Sequence, residues 1–181
     1  PSRGLGDVYK RQVEYGQKMQ EAGADFITIH GRTRSQMYGG KADWKKIAEL
    51  KRNVDIPVFA NGDVVSIETA VQCLEESEAD GIAIGRGALG DPSLLYRVER
   101  YINAGEYLPH PTLEEKIETL KHHLKKEVEF RGENVGVKFC RKFIPYYLNG
   151  FQGASRLRGE LILIDNLNEI FSRLDKILVS V

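Results

Sequence analysis

The groups able to do chemistry sit where short apolar runs give way to polar, glycine-bearing turns: DFITIH-GRTR at 25–34, IPVFA-NGD at 56–63 and GIAIG-RG at 81–87. In Asn61-Gly62-Asp63 the glycine lets the backbone come close to a ligand, and Asn and Asp offer hydrogen bonds to a polyol or amide edge. A plain NGD turn is also a common loop sequence. In Gly85-Arg86-Gly87 two glycines expose backbone N–H groups, and the arginine fork between them suits a phosphate monoester. The bland reading is a tight turn with a surface arginine; the neighbouring NGD turn favours phosphate binding. His30 ends the first run and could hydrogen-bond a cofactor ring or donate a proton, although a lone histidine is more often structural. Arg32 and Arg34 add cationic groups beside it. No Ser/His/Asp spacing suggests a nucleophilic triad. Cys73 and Cys140 lie in helix-like patterns without CxxC spacing, and no metal cluster is evident.

The elements that must position these tips follow from periodicity. Asp25–His30, Pro57–Ala60 and Gly81–Gly85 read as buried strands, each followed by a helical pattern. Val13–Ala22 reads as a helix closed by Gly23. Asp43 caps a helix with Trp44, Ile47, Ala48 and Leu50 on one stripe, Ser66 caps the next, and Asp91-Pro92 opens a fourth. Near-continuous apolar strands separated by helices imply a parallel sheet covered on both faces, with its site at the strands' carboxyl ends. Ile27, Val58 and Ile82 read as equivalent strand positions, 31 and 24 residues apart.

The pattern changes at Asn103–Pro111, NAGEYLPHP, after which only helical periods occur. Thr112 and Glu115 form a capping box for a helix with Leu113, Ile117, Leu120, Leu124 and Val128 on one face. A second helix is expected over roughly 135–148, broken or bent near Pro145. A last one carries Ile164, Leu167, Phe171, Leu174 and Leu178. Three strands cannot close a barrel, and a (β/α)8 fold takes about 250 residues. The expected fold class is therefore α/β over 13–103, the end of something larger than three strands can make, followed by a linker at 104–111 and a small all-α helical bundle over 112–181. Residues 1–12, PSRGLGDVYKRQ, show neither period, resemble a translated linker scar and read as a non-native leader.

The formal charge of the 181-residue chain is zero, yet between Lys121 and Arg158 nine Lys or Arg face three Glu. Such a block can meet a polyanion, or it can be a solvated helix surface. The balance of 41% hydrophobic and 29% charged residues is that of a soluble globular protein. Two cysteines and no membrane-length apolar run suggest a cytoplasmic protein without disulfide or zinc scaffold.

ITIHGRTRSQMYGGKADW, PVFANGDV with its following helix, and GIAIGRGALGDPSLL, in this order and followed by a helical tail with RKF at 141–143, resemble the carboxyl-terminal half of a bacterial tRNA-dihydrouridine synthase. The resemblance covers about residues 13–181. It implies that 13–103 is the carboxyl-terminal part of an FMN-bound (β/α)8 TIM barrel, followed over 112–181 by a helical tRNA-binding domain, with NADPH as reductant and the C5–C6 double bond of a tRNA uridine as the bond reduced. His30, Asn61, Gly62, Asp63, Gly85 and Arg86 would then contact FMN, the last two at its phosphate. Lys138, Arg141 and Lys142 would meet the RNA backbone. No catalytic residue is assigned: the family's general acid is a cysteine on a loop of the amino-terminal half, with a lysine and a glutamine that hold the flavin. This chain by itself is expected to be inactive, and the parent protein a monomer. Two other readings stay open, an FMN barrel acting on a small molecule of the dihydroorotate or enoate type, and a tRNA-binding module without chemistry.

Overall fold

The computed structural model describes residues 5–37 and 39–178, with backbone alone for 5–10; residues 1–4 of the supposed leader and Tyr38 of the first motif lie outside the described residues. The chain divides into two compact units. One comprises Pro1–Ala88 with Leu94–Tyr107, the other Leu89–Ser93 with Leu108–Val181. The division between Tyr107 and Leu108 falls inside the 104–111 stretch, where glycine and proline interrupt the helical periods.

The first unit is α/β. Its elements are α1 (Leu5–Glu21), β1 (Ile27–His30), α2 (Trp44–Lys51), β2 (Val58–Asn61), α3 (Ile67–Ser77), β3 (Gly81–Ala83), a 3-10 turn at Arg86–Ala88 and α4 (Ser93–Ala104). The three strands form one parallel sheet in the order β1-β2-β3. Ile27 pairs with Val58 as expected, but Ile82 lies opposite Ala60, two residues beyond the sequence alignment. The shift follows from Asp80, whose carboxylate accepts the Val58 N–H at 2.7 Å and sets where β3 begins. Strand boundaries differ by one or two residues from the apolar runs. In particular β3 ends at Ala83, because the glycine-flanked arginine turns into a 3-10 coil.

Helix starts follow their caps. Asp43 Oδ1 accepts the Lys46 N–H at 3.2 Å, and Ser66 shares a reciprocal capping box with Thr69. Helix α1 begins at Leu5, not Val13, so the backbone is helical through residues 5–12. Helix α4 begins at Ser93, directly after Pro92, and Asp91 Oδ1 accepts the Ser93 hydroxyl at 2.5 Å. Ile47, Leu50, Val58, Ala60, Ala70 and Leu94 are all at most 1% exposed and form the core between sheet and helices.

The second unit carries α5 (Leu113–Arg131), α6 (Glu133–Cys140), α7 (Ile144–Tyr147), α8 (Ala154–Leu161) and α9 (Leu167–Leu178). Thr112 and Glu115 form the anticipated capping box. The helix expected over 135–148 is two helices, interrupted at 141–143 so that Pro145 sits in the first turn of α7, where its missing N–H costs nothing. Ile164 precedes α9 instead of belonging to it, and Ile170 joins Leu174 as its fully buried pair. Ile117, Leu120 and Leu124 meet Val137, Cys140, Ile144 and Leu161 in a core of their own.

Trp44, the only tryptophan, is buried beside Ile47 in the core of the first unit. Ile47→Ala should lower stability by about 2–5 kcal/mol, the usual effect of emptying a fully buried aliphatic site. The measurement is the urea midpoint of Trp44 fluorescence; an unchanged midpoint contradicts the packing described.

Candidate functional site

The three strand tips come together. His30 at the end of β1, Asn61-Gly62-Asp63 at the end of β2, and Gly85-Arg86-Gly87 beyond β3 line a single cleft of about 480 Å³, with Val64, Val65 and Ala83 as its apolar wall. That size lies within the range of small-molecule sites, and a few polar groups on an apolar wall is their usual character. The tips are adjacent because their strands are hydrogen-bonded neighbours, His30 opposite Asn61 and Asn61 opposite Ala83. Asn61 Nδ2 donates to Ala83 O at 2.6 Å, so one of its donors ties β2 to β3 and the rest of the amide faces the cleft wall. Gly87 owes its identity to space as much as to phosphate chemistry. A Cβ there would stand 2.1 Å from Val64 O, so only glycine lets the third tip seat against the second.

Asp63 follows Gly62 in a left-handed conformation, φ 57° after φ 123°. Its carboxylate is largely taken up inside the protein. Arg32 Nη2 donates to both oxygens at 2.7 and 2.6 Å, the Ala42 N–H donates to Oδ2 at 2.8 Å, and Arg86 Nη2 stands 3.6 Å from Oδ1. Arg32 in turn donates to the carbonyls of Gly39 and Gly40 at 3.2 and 2.7 Å. Its side chain is only 5% exposed, and its Nη1 is buried without a hydrogen-bond partner. The arginine read as an extra cation beside His30 is thus a buried clamp between loop 31–42 and the NGD tip. Trp44 adds a second tie, its indole N–H donating to Gly62 O at 3.0 Å. Sequence reading missed both roles, since Arg32 and Asp63 lie 31 residues apart and no local pattern joins them.

Burial pushes the Asp63 carboxyl up, but the Ala42 N–H, the Arg32 guanidinium and the charge of Arg86 together outweigh it and hold the group below its ordinary pKa. His30 moves down, first through burial and then through the charge of Arg32, against a smaller pull from Asp63. Its Nδ1 accepts the Arg32 backbone N–H at 3.1 Å. A neutral ring with Nδ1 as acceptor carries its proton on Nε2, so His30 keeps an Nε2–H donor available near neutral pH.

The residues expected at RNA are in the second unit and differ among themselves. Lys138 Nζ reaches only a neutral partner on its own helix, Asn134 Oδ1 at 2.6 Å. Lys142 Nζ lies over the rings of Phe139 and Phe143, 3.9 and 4.8 Å from their centroids. Arg141 is largely engaged: it pairs with Asp165 at 2.6 Å, reaches Ile164 O at 3.3 Å, and has a buried Nε without a partner. Its first role is to hold the end of α6 to the connection before α9. Cys73 and Cys140 are fully buried, and burial pushes each thiol up to about 11, so neither supplies a reactive thiolate. Among the described residues no cluster of His, Cys, Asp and Glu could hold a metal ion, and no helix is long and apolar enough to cross a membrane.

Asp63→Asn leaves the shape but removes the counter-charge of a buried arginine, which should destabilise the chain by roughly 2–4 kcal/mol at about pH 7. Because the Asp63 pKa is depressed on folding, its contribution is present above the unfolded value and is lost as pH falls through the folded one. The gap in urea midpoint between wild type and Asp63→Asn should therefore narrow toward about pH 3. A gap that stays constant over that span contradicts the clamp.

The dihydrouridine synthase (Dus) family model matches residues 3–181. A probable tRNA-dihydrouridine synthase 1 of Synechocystis sp. is 42% identical over 164 residues, 91% of this chain and 46% of the relative. A probable tRNA-dihydrouridine synthase of Rickettsia bellii is 36% identical over 163 residues, 90% of this chain and 50% of the relative. The tRNA-dihydrouridine synthase B of Pseudomonas putida is 38% identical over 147 residues, covering 81% and 44%. The chain spans about half the length of the curated relatives it matches. With the match running through all three strand tips and on into the helical unit, this chain belongs to the dihydrouridine synthase family.

Proposed function

We propose that this chain is the carboxyl-terminal part of an FMN-dependent tRNA-dihydrouridine synthase, its α/β unit being the end of a (β/α)8 barrel and its helical unit the tRNA-binding domain. The observation that carries the reading is the cleft at the strand tips, with a guanidinium, an apolar wall and a neutral histidine donor around one space of about 480 Å³. Those groups fit a flavin mononucleotide. Arg86 and the glycines beside it suit the phosphate, Val64, Val65 and Ala83 suit the ring system, and His30 Nε2–H and the Asn61 amide suit polar ring or ribityl edges. Gly62 keeps the second tip low, since a Cβ there would press on Ala42 and His30. Asp63 holds the rim through Arg32, so that Arg86 works beside a carboxylate whose charge is already balanced.

When bound, the reduced flavin supplies hydride to the C5–C6 double bond of uridine, with NADPH as the reductant. The residues of this chain bind and orient. The proton that completes the reduction comes from a cysteine loop outside these residues, and the buried thiols of Cys73 and Cys140 are excluded from that task. Lys138 and Lys142 meet RNA phosphates, while Arg141 stabilises the helix end that presents them. The uridine must leave its stack to reach the cleft. The protein is read as a cytoplasmic monomer.

The test is a full-length protein carrying this sequence, purified and examined for bound yellow flavin, then assayed for NADPH-dependent loss of uridine in unmodified tRNA. A full-length protein with no bound flavin and no dihydrouridine formed would sink the reading. Two variants separate the ligands. Arg86→Ala should weaken FMN about tenfold or more while leaving riboflavin, which lacks the phosphate, nearly unchanged. Lys138→Ala should spare FMN and lower the salt slope of tRNA binding by about 0.7–0.9. Equal effects of both variants on both ligands would contradict this division.

A further inference from the structure

The basic helices hold more than charge. From the end of α5 to α7, cations and aromatic rings alternate in one continuous row. The Arg131 Cζ lies 5.3 Å from the Phe130 centroid and 4.0 Å from that of Phe139, and the Lys142 Nζ lies 3.9 Å from Phe139 and 4.8 Å from Phe143. Phe143 then meets His123 at 5.1 Å, and His123 Nδ1 stands 3.2 Å from the Tyr147 hydroxyl. One end of the row is buried, with Tyr147 at 5% exposure. The other end is open, with Phe130 at 80% and Val135 at 55%. Val135 shares a helix face with Phe139, one turn away, so the open end is a patch and not a single ring.

A phenylalanine this exposed at the rim of a row of cations is not explained by folding, since it adds little to the core and leaves apolar surface in water. The neighbouring acids are already engaged. Glu127 holds Arg131, Glu129 holds Lys126, and Glu133 accepts the Leu167 N–H and Asn166 Nδ2. A phosphate approaching Lys142 or Lys138 therefore meets side chains whose acidic neighbours face other partners. Phe139 is already covered by Arg131 and Lys142, whereas Phe130 keeps an open face, and an open ring beside cations is the combination that holds single-stranded nucleic acid, a base stacking on the ring while the backbone runs along the charges. An acidic peptide would use the cations but gain nothing from the rings.

We propose that Phe130, with Arg131, Val135, Phe139 and Lys142 around it, forms a stacking platform for an unpaired base of RNA. This rests on the RNA-binding reading and deepens it. The helical unit grips a splayed-out nucleotide by its flat face as well as by its phosphates, and so favours loops over duplex.

The experiment uses the chain with a short fluorescein-labelled oligoadenylate, the same oligomer paired with oligouridylate as a duplex, and a poly-glutamate peptide. Anisotropy is followed from low to moderate salt. Wild type should bind the single strand several-fold more tightly than the duplex, and both well above the peptide. Phe130→Ala should weaken the single strand about tenfold with the salt slope unchanged, because stacking releases no counterions. Phe130→Trp should restore or exceed wild-type affinity. Lys142→Ala should instead reduce the slope by about 0.7. Circular dichroism should show the same helical content in all, Phe130 being outside the core. If wild type binds neither RNA, the RNA-binding reading itself falls and the platform with it. If wild type binds but Phe130→Ala is indistinguishable, if duplex and single strand bind alike, or if the peptide competes equally, the platform alone is overturned.

Discussion

The carboxylate of Asp63 is the fixed point of the α/β unit. It collects two hydrogen bonds from Arg32 and one from the Ala42 N–H. Each of those partners depends on it differently. Arg32 is almost fully enclosed, and an enclosed guanidinium without its counter-charge is far more costly than one in water. Loop 31–42 has no strand or helix of its own among its described residues; it is held by Arg32 at the Gly39 and Gly40 carbonyls, by Ala42 at Asp63, and by the Asp43 N–H at Gly31 O. The β2 tip itself takes two consecutive residues through positive φ, a conformation that Asp tolerates only at some cost. One ion pair thus meets three needs, and the shape of the cleft wall follows from it.

That dependence explains why the site was legible in outline and not in detail. The strands, their tips and the ends of the helices could be read because each is specified locally: apolar runs of four to six, glycine at the turns, Ser66 and the Thr112–Glu115 box at the caps. Candidate ligand groups followed from position alone, since parallel strands put their carboxyl ends together. The clamp could not be read. Arg32 sits in a polar run, GRTRSQ, where exposure is the ordinary expectation, and nothing nearby announces that its partner lies on the next strand. Asp63 looked like a ligand for the same reason, because sequence shows a carboxylate but not what has already claimed it. Gly87 is a third instance. Its spacing suggested phosphate, while the 2.1 Å approach of Val64 O to a would-be Cβ gives it a packing reason that holds with or without a ligand.

In the helical unit the same effect thins the basic block. Lys121 is taken by Glu118 and Asp175, Arg131 by Glu127, Arg141 by Asp165, and Arg158 donates to Leu148 O at 2.7 Å. Counting charges along the chain therefore overstates the field this surface offers to a polyanion. Helix α8 went unread for a related reason: Ala154, Leu157 and Leu161 keep the right spacing, but eight residues with two arginines and a glycine give too short a period to stand out.

The two units thus use charge in opposite ways. At the strand tips Arg32 is enclosed and tied to Asp63 and to two backbone carbonyls, so salt screens that pair little, while Arg86 stays about half exposed at 53%. In the helical unit the cations are mixed: Lys121 and Arg131 are held by carboxylates, while Lys138 rests on a neutral amide and Lys142 over rings, leaving a surface open to screening. Rings supply the part of such an interface that salt does not erase. The partition follows from burial: the same guanidinium chemistry is a clamp at Arg32, 5% exposed, and a partly exposed pair with Glu127 beside Phe130 at Arg131.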